Sequence, residues 1–227
     1  MLKFSRRQLV IAAAAMSVSA CSSNGGSRRR RRRTAAPSPV QQQTNYGPIP
    51  DEPFPIPAVN FNTIKPGFGR RVVNYSTAEP AGTIIVDTDT FHLYLTMEGG
   101  RALRYDVGLG RQGFSWSGNA NIESKQEWPK WFPPKEMMAR QPELRKYSEK
   151  NGGHPPGLDN PLGSRALYLF ENGKDTLYRL HGTAQESSIG NAVSSGCVRL
   201  MNHDIIDLYN RVPVGTKVVV INSRRTS

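Results

Sequence analysis

A chain of 227 residues with two cysteines has the length of one ordinary domain plus appendages, enough to bury a core without disulfide staples. Two cysteines exclude a disulfide-dense scaffold and a four-cysteine zinc site, and leave one bridge or one reactive thiol open. The formal charge of +12 points toward nucleic acid only until it is located: nine of the 30 basic residues lie in residues 1–33, which hold no acid, and the remainder carries 21 basic against 18 acidic side chains.

Residues 1–20 read as an export signal. Lys3, Arg6 and Arg7 form its positive start, and residues 9–20 an apolar stretch that is too short to cross a ~30 Å hydrocarbon core as a helix. Ser5, Arg6, Arg7, Gln8 and Leu9 resemble a twin-arginine address, with Leu9 where Phe is usual; a general secretory signal is the alternative. Val18, Ser19, Ala20 and Cys21 resemble a lipobox whose Cys is acylated and becomes the mature N-terminus, against the plainer reading of a cleavage site beside an incidental Cys. Residues 21–69 read as a disordered tether. Six arginines at 28–33 are followed by seven prolines between 34 and 65, a composition that buries too little apolar surface to offset its ordering entropy. The arginine run reads as a solvated patch that would contact an anionic membrane or wall surface.

Residues 70–223 form the folded domain, a mainly β unit with one or two short helices. Residues 83–86 are a compact β-branched run. Phe91, Leu93 and Leu95 alternate with polar neighbours, as do Leu103, Tyr105 and Val107, with a turn at residues 97–100 between them. Residues 127–160 are rich in Pro, Gly and Trp and read as a long insertion or lid, with short helical turns near 134–139 and 142–149. Strands are expected again at 166–170, 176–180 and 217–221. Between the last two lies a helix capped by Asn202, with Asp204 in its first turn, Ile205, Leu208, Tyr209 and Val212 on one face, and Pro213 at its end.

Residues 180–200 carry the chemistry. His181 ends a strand, Gly182 follows, and Cys197 lies 16 residues downstream after Ser194, Ser195 and Gly196. A thiol with an ordinary pKa of ~8.5 needs a base within hydrogen-bond reach to act as a nucleophile, and His181 is the nearest candidate. Gly196 lets the backbone approach a substrate carbonyl, turn-borne N–H groups could hold an oxyanion, and Arg199 can grip a carboxylate. The plain alternatives are a buried, inert Cys and a structural His. If Cys21 is lipidated, Cys197 lacks it as a disulfide partner, which favours a reactive thiol.

This segment resembles the signature of the L,D-transpeptidase catalytic domain (the YkuD-like family), H-G-T followed by S-x-G-C-x-R. The resemblance extends through Ile84 to Asp87, Asn160 to Gly163, and Asp207 to Val220, covering about residues 80–222. It implies a β-sandwich whose thiolate attacks the bond after the third residue of a peptidoglycan tetrapeptide stem, usually meso-diaminopimelate. D-Ala leaves, and an acceptor amine resolves the thioester to form a 3→3 cross-link or to attach protein to the wall. Water as acceptor would make the chain a carboxypeptidase or amidase; a retired, wall-binding lipoprotein is the non-catalytic alternative. By resemblance Cys197 is the nucleophile, His181 the general base and acid, and Gly182 the residue whose carbonyl orients the imidazole. Gly196 and Cys197 supply oxyanion N–H groups, and Arg199 binds a stem carboxylate. Ser195 stands where the family often has a second His.

No cofactor, metal or nucleic acid is expected, and the protein is expected to be monomeric. It is placed in the periplasm, exported and lipid-anchored to the outer or inner membrane through Cys21 and residues 28–33. His92 is expected on a polar strand face and His203 in solvent. His154 borders the site loop without an assigned role, and Trp116, Trp128 and Trp131 read as packing residues.

Overall fold

A computed structural model describes residues 46–110, 117–194 and 197–222, all within one compact unit, residues 41–227. Among these residues are eleven strands: β1 (Arg71–Asn74), β2 (Ile84–Asp87), β3 (His92–Met97), β4 (Arg101–Asp106), β5 (Leu109–Gly110), β6 (Gly118–Glu127), β7 (Arg165–Glu171), β8 (Lys174–Thr183), β9 (Ala192–Ser194), β10 (Val198–Met201) and β11 (Lys217–Ile221). The helices are α1 (Lys135–Arg140) and α2 (Asn202–Arg211). The mainly β class and the helices at 134–139 and after residue 201 are as expected.

Nine strands make one mixed sheet in the order β1-β4-β3-β2-β11-β6-β7-β8-β10, and β5 and β9 pair separately in parallel. Neighbours in the large sheet are antiparallel except β2/β11 and β8/β10. The chain leaves β4 at Val107, and Gly108 then exchanges both backbone hydrogen bonds with Arg199 of β10, at 2.9 and 2.8 Å. β4 stands next to one end of the sheet and β10 is the other end, so this pair curls the sheet back on itself around a single core. The two layers of the sandwich are thus halves of one sheet. Ile84, Val86, Leu93, Tyr105, Leu167, Leu180, Val198 and Leu200 fill it, with Ile205 and Leu208 of α2; each buried side chain of this size contributes roughly 1.5–3 kcal/mol. α2 packs against β7, β8 and β10, which fixes the strand that leads away from Cys197.

Three expectations are corrected. The tether does not run to residue 69: residues 46–69 pack on the domain. Tyr46 and Ile64 join Ile189 and Met201 in a second apolar cluster, and Glu52 pairs with Arg165 at 2.6 Å. Isolated side chains there find partners far away in sequence. Asn202 does not cap α2; it lies within the helix, and its Oδ1 accepts the Ser164 N–H at 3.0 Å. His203 is buried, not solvated, because Nε2 bonds the Gly47 carbonyl at 2.7 Å. His92 lies, as expected, on the face of β3 opposite Leu93 and Leu95, with Nε2 3.2 Å from the buried Asp106 carboxylate. Residues 1–45, including Cys21 and 28–33, lie outside the described residues, as do Trp116, Ser195 and Gly196.

Candidate active site

The parallel pairing of β8 and β10 sets Val198 opposite Leu180 and Arg199 opposite His181. Side chains alternate along a strand, so Leu180, Val198 and Leu200 enter the core while His181 and Arg199 share the other face. Cys197 immediately precedes β10 and falls at the level of Arg179, on the face of His181 and one diagonal step away, about 7–8 Å between backbones. Arg179 and Arg199 stand on the same face, and their charges act on both His181 and Cys197.

His181 is 4% exposed, and its Nδ1 lies 2.8 Å from the Gly182 carbonyl oxygen. A carbonyl only accepts, so Nδ1 carries the ring proton and Nε2 keeps the lone pair. Burial, reinforced by the charges of Arg199 and Arg179 and opposed by the Gly182 hydrogen bond, lowers the imidazole pKa to about 4. The ring is neutral at neutral pH and able to accept a proton. Burial also pushes the Cys197 thiol up, although a hydrogen bond from the Arg179 backbone and the charges of Arg179 and Arg199 pull it down. Both shifts favour the uncharged forms, thiol and neutral imidazole.

The Gly182 carbonyl is held from behind. A Cβ on Gly182 would lie 3.0 Å from Ile205 Cγ2, 3.1 Å from Ser164 N and nearer still to Asn202 Oδ1. Gly163, at φ +61°, brings its backbone so close that a Cβ there would sit 2.5 Å from the Gly182 carbonyl carbon. Asn160 locks this corner: its Oδ1 accepts the Leu162 N–H at 2.9 Å, and its Nδ2 donates to the Pro129, His154 and Pro155 carbonyls. The insertion and α2 thus converge on the peptide that orients His181.

Arg199 donates from Nη1 to Gln185 Oε1 at 3.3 Å, and its buried Nε has no hydrogen-bond partner among the described residues, leaving donor capacity for an anionic group. The loop before β9 is steadied by the N-terminal segment: Lys65 Nζ donates to the Gly190 carbonyl at 2.5 Å, and the Asn60 N–H donates to Glu186 at 2.9 Å. Among the described residues no group of three or more His, Cys, Asp or Glu is placed to hold a metal ion. His154 is buried within the insertion, where it bridges to Trp131. Sequence reasoning missed Asn202 as a buttress and Leu177, whose carbonyl lies 4.0 Å from Cys197 Sγ. The Asp175 and Thr176 pair before Leu177, both able to bond nearby backbone, was the available signal.

The fold is a mainly β domain that sets Cys197 and His181 toward one face of its sheet. The YkuD family, described as the L,D-transpeptidase catalytic domain, matches residues 81–220, and the chain belongs to it. The chain is similar to the probable L,D-transpeptidase ErfK/SrfK of Escherichia coli strain K12, 38% identical over 52% of this chain and 36% of that protein. It is also similar to the probable L,D-transpeptidase YbiS of the same strain, 36% identical over 61% of this chain and 44% of that protein. The chain thus spans less than half the length of these curated relatives. A crystal structure titled as a probable carnitine operon oxidoreductase caia from Brucella melitensis is 44% identical, covering 71% of this chain and 99% of that one, with a TM-score of 0.48.

Proposed function

We propose that this chain transfers the acyl group of a peptidoglycan tetrapeptide stem through a thioester on Cys197. The register that sets Cys197 and His181 on one face, with Nδ1 committed to the Gly182 carbonyl, carries this reading. The neutral imidazole takes the thiol proton at Nε2 as sulfur attacks the carbonyl carbon of the third stem residue. Backbone N–H groups of Gly196 and Cys197 hold the oxyanion. The imidazolium then protonates the departing D-Ala amine, and the C–N bond breaks to leave the thioester. An acceptor amine, or water, attacks that thioester with His181 again as base. Arg199, with unused donor capacity at Nε, binds a stem carboxylate. Export, with Cys21 acylated and residues 28–33 against the membrane, would place the chain in the periplasm beside this substrate.

Incubation of the full chain with a tetrapeptide stem tests the reading. Free D-Ala is expected from the wild type and not from Cys197→Ala or His181→Ala. Release that persists in Cys197→Ala, or none from the wild type, refutes it. Cross-linked products mark transfer to an amine, and shortened stems alone mark hydrolysis.

A further inference from the structure

Where β7 and β8 pair, Tyr168 stands opposite Arg179 and Phe170 opposite Asp175. The single residue Leu169 therefore faces three: Thr176, Leu177 and Tyr178. β8 carries a bulge of two extra residues. Its own side chains hold it together. Asp175 Oδ1 accepts the Leu177 N–H at 2.8 Å, and the Thr176 hydroxyl donates to the Leu169 carbonyl at 2.6 Å while accepting the Tyr178 N–H at 3.2 Å. Asp175 also grips the Arg179 guanidinium with both oxygens, each at 2.7 Å.

The bulge is costly. Leu177 has φ +62°, a left-handed conformation that costs a residue with a Cβ about 1–2 kcal/mol. Its side chain is 73% exposed, so apolar burial does not offset that cost. Bulges gather beside active sites, where they re-aim a strand. This one aims two backbone groups at one sulfur: the Leu177 carbonyl lies 4.0 Å from Cys197 Sγ, and the Arg179 backbone forms a hydrogen bond with the same atom. A carbonyl accepts from the S–H form and an N–H donates to the thiolate, so both protonation states meet a partner from the same three residues.

We propose that the β8 bulge positions the Cys197 thiol, and that Asp175 is the positioning residue that sets the bulge. This rests on the reading of Cys197 as nucleophile. Asp175 touches no reacting atom; it acts through the Leu177 and Arg179 backbone.

Asp175→Asn and Asp175→Ala test it in the full chain. Both remove the same negative charge, so their effects on the sulfur through charge are matched. Only Asn keeps an acceptor for the Leu177 N–H. Alkylation of Cys197 by iodoacetamide is followed across pH at the Cys197 peptide by mass spectrometry, which keeps Cys21 separate. Asp175→Ala is expected to alkylate at least about threefold more slowly at pH 7 than Asp175→Asn, with its profile displaced to higher pH, as the loss of one ordered hydrogen bond predicts. Coincident profiles in two folded variants overturn the proposal. Should Asp175→Ala not fold, Thr176→Val replaces it. That change removes the hydroxyl that closes the bulge without altering charge, and it is expected to slow alkylation relative to wild type; an unchanged profile again overturns the proposal. Absence of D-Ala release from the wild type would sink the transpeptidase reading and leave this comparison intact, whereas coincident profiles sink the bulge alone.

Discussion

Gly182→Ala places a methyl group where three neighbours already stand. Ile205 Cγ2 would be 3.0 Å away and Ser164 N 3.1 Å, with Asn202 Oδ1 closer. None of these yields easily: Ile205 is fully buried, Ser164 N is backbone, and Asn202 Oδ1 is tied to that N–H at 3.0 Å. The residue 182 peptide has little space to retreat either, because the Gly163 backbone packs against its carbonyl carbon. Overpacking of this kind costs about 1–3 kcal/mol, and the strained His181 hydrogen bond about 1 kcal/mol more. Together these lower the melting temperature by about 9 °C, taking about 3 °C per kcal/mol for a domain of this size. The catalytic loss is larger. Once the carbonyl that fixes Nδ1 moves by about 1 Å, the base is misplaced and D-Ala release falls about a hundredfold, measured well below the new melting temperature. The double variant Gly182→Ala/Asn202→Ala removes the nearest obstruction. Its stability should exceed the additive expectation by about 1 kcal/mol. Release within about threefold of wild type, with melting lowered by less than about 2 °C, would refute this account of how His181 is oriented.

Since burial and nearby cations hold His181 at about 4, its base form survives to low pH. kcat/KM for D-Ala release should stay level as pH falls from about 7 to 5 and drop only near pH 4; an acid limb centred near 6.5 would refute this. The same shift stabilises the fold fully above 6.5, and about 3 kcal/mol is lost as pH falls toward 4, because the unfolded chain takes the proton first. Asp204 opposes it. Burial raises its carboxyl to about 7 despite Arg70 and Tyr46, so its stabilising contribution is greatest below 3.8 and is lost as pH rises toward 7. Asp204→Asn should therefore show an unfolding free energy in urea that climbs more steeply than wild type between about pH 4.5 and 6.5; parallel slopes would count against it. Finally, Glu52→Ala strips the buried Arg165 of its bidentate partner, leaving Glu127 at 3.6 Å. The expected cost is about 3 kcal/mol, or a melting temperature lower by about 9 °C in a thermal scan, and a fall of less than about 3 °C would show that residues 46–69 do not brace the domain.

What could be read from sequence was whatever repeats along the chain. Ile205 and Leu208 recur at helical spacing and are buried, and Leu93 and Leu95 alternate into the core as β3 requires. β6 escaped notice because its ten residues bury only Ala120 and Ile122, although it lies between β11 and β7 inside the sheet. Its strand character comes from its neighbours. The N-terminal segment is hidden from sequence for a related reason. Tyr46, Ile56 and Ile64 form no periodic pattern, and Tyr46 is held by Asp204, 158 residues away. His181 and Cys197 stand out in the sequence through the motif around them. The peptide stack of Gly163 and Gly182, the buttress at Asn202 and the turned-out Leu177 depend on contacts that no spacing along the chain reports.

The strand that leads from Cys197 ends the sheet, and an unpaired strand edge is a standing invitation for another chain to add on. Gly108 answers it. Its backbone occupies both hydrogen-bonding positions of Arg199, in a space so close to the Ser188 carbonyl that a side chain would not fit. An extended peptide is thereby prevented from docking alongside Arg199 as an extra strand. Approach to Cys197 is left to the face that carries Arg179, His181 and Arg199. The other end of the sheet is left to β1, four residues long and opened by the exposed Arg71, a short and charged margin poorly suited to seeding aggregation.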